Sequence, residues 1–126
     1  MAQKYIVDDI VMYKNKIHTI IDTLGQNNYE LSYVRHSVNQ AELSGVPLTP
    51  KILEKNGWNK RTRVCFDGEH LEDFSNPSFP LEYFAIAFTK EGVKATYDCL
   101  PVREVKYISD LQHLLFGLNI NHEMEV

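Results

Sequence analysis

The sequence predicts an α+β protein: an N-terminal SH3-like small β-barrel over residues 1–45, then a unit of helix, antiparallel sheet and C-terminal helix over residues 46–126, packed on it. Three observations carry this prediction. Residues 1–45 hold four or five short β-type segments separated by tight turns. Residues 49–58 spell a short helix with both stops written in, and residues 109–118 set leucines on one helical face behind a capping signal.

The elements follow in chain order. Ile10-Val11-Met12-Tyr13 and Lys16-Ile17-His18-Thr19-Ile20-Ile21 flank Lys14-Asn15, a pair that forms a tight turn because asparagine tolerates positive φ. Tyr29, Leu31 and Tyr33 alternate with Glu30 and Ser32, the pattern of a strand with one wet face. A fourth short strand runs near residues 35–38. The barrel core is expected to take Val11, Tyr13, Ile17, Thr19, Ile21, Leu31 and Tyr33, with the inward face of each strand open by one residue.

Thr49 is a favourable N-cap, and Pro50 stands at the first helical position, where a missing N–H costs nothing. Leu48 and Leu53 are spaced for a hydrophobic staple, and Gly57 is placed for the left-handed residue that ends the helix. Trp58 then folds back on Leu53. Beyond this hinge, residues 62–66 read as a strand, residues 69–80 as an acidic loop broken by Pro77 and Pro80, and residues 81–88 as a central strand. Lys90-Glu91-Gly92 turns that strand into a partner over residues 93–99. Ser109 with Gln112 reads as a capping box, and Leu111, Leu114, Leu115 and Leu118 as the buried stripe of the last helix.

A chain of 126 residues with 44% hydrophobic content suffices for one ordinary core or two small lobes. No apolar run reaches membrane-spanning length and the N-terminus has no hydrophobic signal region, so a soluble, cytoplasmic protein is expected. Cys65 and Cys99 lack CxxC spacing and read as reduced, buried thiols. The net charge of −4 hides an asymmetry: residues 1–66 carry nine Lys/Arg against six Asp/Glu, or +3, whereas residues 67–126 carry four against eleven, or −7. Such a split marks a nucleic-acid face, a head-to-tail contact between copies, or no more than two differently solvated surfaces.

Three islands of sequence resemble a known family. The hinge, with Pro47, Leu48, Thr49, Leu53 and Gly57, is similar to an IPLTxxxLxxxGF signature, and residues 107–118 are similar to its partner YVHQLQNLYFALTG. Residues 9–17 resemble a GNLVxYxGxI opening. The three occur together in uncharacterised small proteins of Bacteroides-type gut bacteria and their phages and prophages. Trp58 stands where that family has Phe, Asn15 where Gly is common, and Ser109-Asp110 in place of His-Gln. The resemblance implies a bacterial or phage accessory protein of unknown activity and supplies no catalytic residue.

Among candidate sites, Glu69, His70, Glu72 and Asp73 match no metal-ligand spacing and read as a solvated acidic loop. His113 and Asp110 lie one helical turn apart without a nucleophile assigned to them. Phosphate-cradling glycine loops, HExxH, GxSxG and dinucleotide fingerprints are missing from the sequence. An enzyme is therefore not expected, nor a metal or cofactor.

Two binding readings stand. The first is a non-enzymatic interaction module of a phage or mobile element that binds a protein partner or itself, with Phe74, Phe79 and Phe116 as aromatic anchors. Equally, those rings fold back onto the sheet and the tail covers Phe116. The alternative is a nucleic-acid-binding accessory protein using Lys14, Lys16 and Arg35 on the barrel with Lys60, Arg61 and Arg63 at the hinge. Tyr13, Tyr33, His18, His36 and Trp58 lie among these cations in sequence, which suits phosphate contact with base stacking.

Overall fold

Two consecutive residues with positive φ set the register of the first sheet. In the computed structural model, which describes residues 3–64, 68, 70–80 and 83–126 without the side chains of Arg63, His70 and Leu71, Lys14 and Asn15 have φ of 49° and 64°. This is the hairpin turn whose twist matches its flanking strands. It joins β1 (Ile10–Tyr13) to β2 (Lys16–Gly25), with Tyr13 opposite Lys16. A second such pair, Gln26 and Asn27 at φ 51° and 61°, leads into β3 (Asn28–Leu31). Then come β4 (Val38–Asn39), a 3₁₀ turn (Gln40–Glu42) and β5 (Leu43–Gly45), which returns to β1. The antiparallel order is β4-β3-β2-β1-β5. The 3₁₀ turn joins the two edge strands across at most roughly 15 Å of chain, so the sheet must bend strongly.

This sheet and α2 (Ile108–Gly117) belong to one compact unit, Met1–Pro47 with Tyr107–Met124. Its core is Tyr5, Val11, Tyr13, Ile20, Tyr29, Leu31, Val38 and Leu43. The expected inward face of β2 is corrected by one residue. Ile20 is fully buried, whereas Ile17 and Ile21 are about half exposed. Val11 and Tyr13 point inward, and their cross-strand partners His18 and Lys16 share that face, which carries Ile17 to the other side.

The helix α2 starts earlier than its leucine pattern suggests. Tyr107 is the N-cap residue and its N–H donates to Asp110 Oδ2 at 2.9 Å, so Asp110 rather than Ser109 makes the capping contact. The buried face is Ile108, Ser109, Leu111, Gln112 and Leu115, while Leu118 is exposed.

The second unit, Leu48–Lys106 with Glu125–Val126, starts at the hinge helix α1 (Pro50–Lys55). Here the sequence reading holds: Thr49 Oγ1 accepts from Ile52 N at 3.3 Å, Gly57 has φ 88°, and Trp58 N donates to Leu53 O at 3.0 Å. The five strands β6 (Asn59–Val64), β7 (His70–Ser75), β8 (Phe84–Thr89), β9 (Gly92–Tyr97) and β10 (Leu100–Glu104) form an antiparallel sheet in meander order.

Two expectations change. Residues 70–75, read as loop, are a central strand paired with both β6 and β8. The division at 45/46 also moves, because α2 groups with the first sheet rather than with the second. The architecture is α+β, with two antiparallel sheets and two α-helices among the described residues. No helix among them is long and apolar enough to cross a membrane. Cys99 is disulfide-bonded rather than a free thiol, and the chain's other cysteine, Cys65, lies outside the described residues.

Candidate nucleic-acid interface

Tyr13 ends β1 with its ring buried in the first unit, and it gathers basic groups from two separate segments. Its ring centre lies 5.9 Å from that of His18 on β2 and 6.4 Å from that of His36, both edge-on. Lys14 Nζ stands 5.3 Å from the same ring, a cation–π distance. The hairpin turn bearing Lys14 and Lys16 therefore adjoins the segment bearing Tyr33, Arg35 and His36. Lys14, Lys16, Arg35 and His36 are all exposed. Among the described residues, none of Lys14, Lys16 and Arg35 is held in an ion pair. Residues 10–21 and 31–41 contain no Asp or Glu.

Ser32 fixes the second segment. Its N–H donates to Thr19 O at 3.0 Å, its Oγ accepts from Thr19 N at 3.0 Å, and its carbonyl accepts from His18 Nδ1 at 2.8 Å. Val34, two residues on, packs against the core and donates to Leu31 O. Between these anchors Tyr33 takes φ 61° and is 100% exposed. A tyrosine in the left-handed region costs about 1 kcal/mol or more, and glycine or asparagine would fill a mere turn more easily. Sequence alternation assigns Tyr33 to the core. The strand ends at Leu31 instead, and the ring turns out to solvent.

No protein-family model, curated protein or solved structure matches this chain.

The remaining sequence-derived candidates are placed differently. Lys60 pairs with Glu72 at 3.6 Å, and Arg61 Nε donates to the fully buried Asp73 at 2.9 Å. β7 thus brings carboxylates onto the cations of β6, and these two residues do not form a free basic patch. The Arg63 side chain lies outside the described part of the molecule.

Phe74 is 4% exposed and edge-on to Phe88 at 5.7 Å, and half-buried Phe79 lies against Trp58 and Phe84. Phe74 is core of the second unit and Phe79 packs on its aromatic rings, the folded-back one of the two alternatives for these residues. Phe116 is exposed at 59%, with the His122 ring 5.2 Å from its own.

Glu72 and Asp73 are the carboxylates bound to Lys60 and Arg61, while Glu69 and the His70 side chain lie outside the description. Among the described residues no group of three or more His, Cys, Asp or Glu is arranged to hold a metal ion. His113 binds Asp9, a partner 104 residues away. The anchoring role of Ser32 and the buried Asp9 escape pattern reading, because each depends on a long-range partner.

Proposed function

We propose that the protein is a non-enzymatic binding module whose ligand is a nucleic acid, held on the first unit by Lys14, Lys16 and Arg35 with Tyr33 beside them. The observation that carries this reading is a fully exposed tyrosine at positive φ, on a segment that adjoins cations held in no ion pair among the described residues. Cations fix phosphates and an aromatic face accepts a base, the two contacts nucleic-acid surfaces combine. We read the first sheet as an SH3-like barrel. Its β4-β3-β2-β1-β5 order and the 3₁₀ turn between its edge strands support that reading.

Fluorescence anisotropy of a labelled oligonucleotide, titrated at several salt concentrations, tests the proposal. Binding is expected at low salt, weakening as salt rises, with the log–log slope falling by roughly 0.7 for each of Lys14, Lys16 and Arg35 reversed to glutamate. Binding that ignores all three reversals, or no binding at low salt, overturns it.

A second reading is favoured by one observation: Phe116 and Leu118 at the end of α2 are both exposed. A protein partner or a second copy of the chain would dock there, and Phe116→Asp would abolish that contact while leaving the fold intact.

A further inference from the structure

We infer that the ligand of the Tyr33 site is single-stranded, with an unstacked base lying on the Tyr33 ring while its neighbouring phosphates meet Lys14, Lys16 and Arg35. The inference rests on the reading of this surface as a nucleic-acid site and adds which form of nucleic acid it takes. Geometry supplies the first argument. The Tyr33 ring is wholly exposed, unlike that of Tyr13, which is buried. A duplex offers only base edges in its grooves, whereas a single strand can offer the flat surface of a base. The hydrogen bonds around Ser32 and the packing of Val34 hold the backbone on both sides of Tyr33, so little further ordering is needed when a base arrives.

Charge supplies the second argument. The unit carries four Lys/Arg (Lys4, Lys14, Lys16, Arg35) against seven Asp/Glu (Asp8, Asp9, Asp22, Glu30, Glu42, Asp110, Glu123), a net −3. A wide, doubly charged duplex sets more phosphates against this net negative unit than a short single strand does. A single strand of a few nucleotides needs only the three cations. The small number of cations also sets a modest affinity with a shallow salt slope, roughly two for three phosphate contacts on a single strand.

The test compares a short labelled oligothymidylate with a labelled duplex against the full chain and three variants. Tyr33→Asn removes the ring but keeps a residue that accepts positive φ, so the backbone is preserved. Tyr33→Phe keeps the ring. The third variant reverses Lys14, Lys16 and Arg35 to glutamate. The expected result is tighter binding of the single strand than of the duplex, weakened roughly five- to a hundredfold by Tyr33→Asn at unchanged salt slope, and retained by Tyr33→Phe.

If Tyr33→Asn binds the single strand like the wild type, or if the duplex binds as tightly as the single strand, this inference falls. The nucleic-acid reading survives that result provided the charge reversal still abolishes binding. If the wild type binds neither oligonucleotide, both fall together.

Discussion

Asp9 and His113, 104 residues apart in sequence, are joined by a part-buried side-chain hydrogen bond within the first unit. Asp9 Oδ2 also accepts from Ile6 N at 2.9 Å, while its Oδ1 is buried without a hydrogen-bond partner. The adjacent Gln112 accepts from Ile10 N at 2.8 Å and donates to Asp8 O at 2.7 Å, so α2 holds residues 6–10 by two side chains in succession. A carboxylate at 0% exposure tolerates little loss of its partners. His113→Ala is expected to cost about 1–3 kcal/mol, the penalty for leaving a buried acceptor unpaired. Asp9→Asn in the same background should recover part of that loss, because the neutral amide needs less compensation. Urea midpoints of the two single variants and the double variant measure this, and additive losses would show that the residues are not coupled.

Gly45 sits on β5 opposite Val11, and a Cβ built there would stand 2.5 Å from two ring carbons of Tyr107. The ring cannot bend away, and Tyr107 also caps α2, so the close approach requires glycine for space rather than for φ. Gly45→Ala is expected to lower stability by about 1–3 kcal/mol through overpacking. In a Tyr107→Ala background the same substitution should cost much less, and parallel thermal melts of the four proteins settle the point.

The features legible in the sequence are those decided by neighbours in the chain. Thr49, Pro50 and Gly57 define α1 locally, and Lys14-Asn15 defines a turn through its own φ preferences. Long-range pairing decides the rest. The run His70–Ser75 reads as an acidic loop until Arg61 is placed opposite Asp73, which allows a carboxylate to be buried in a central strand. Gln112 belongs to the buried face of α2 because its amide satisfies backbone groups of residues 8 and 10, a role that hydrophobic periodicity does not register. At the candidate site the cations are readable as residue types. The outward turn of Tyr33 depends on Ser32 meeting β2 and is not.

Tyr5 is buried with its hydroxyl unpaired, and its ring is edge-on to that of Tyr29 at 5.8 Å. Burial pushes its pKa above the ordinary 10.0, against an opposing pull from Lys4. The folded state therefore keeps the phenol proton where the unfolded chain gives it up. The contribution to stability is fully present below the unfolded value and is lost as pH rises from there through the folded value. Stability should fall above about pH 10. Tyr5→Phe should flatten that part of the profile while leaving stability at neutral pH unchanged or slightly raised, since an unpaired buried hydroxyl is removed. Denaturant titrations at neutral and strongly alkaline pH read both effects, and an unchanged alkaline slope in Tyr5→Phe would refute the assignment.

Cys99 lies in the β9–β10 turn at φ 67°, next to Asp98 at φ 50°, and it is disulfide-bonded. The bond corrects the reading of Cys99 as a reduced thiol, which rests on cysteine spacing alone. In oxidised protein a thiol reagent should find Cys99 unreactive, and Cys99→Ser should lower stability by roughly 2–4 kcal/mol. Under a strong reductant the wild type should lose the same amount and converge on Cys99→Ser. If the wild type holds its melting temperature with and without reductant while Cys99→Ser melts lower in both, the cysteine contributes through packing and the bond adds nothing to stability.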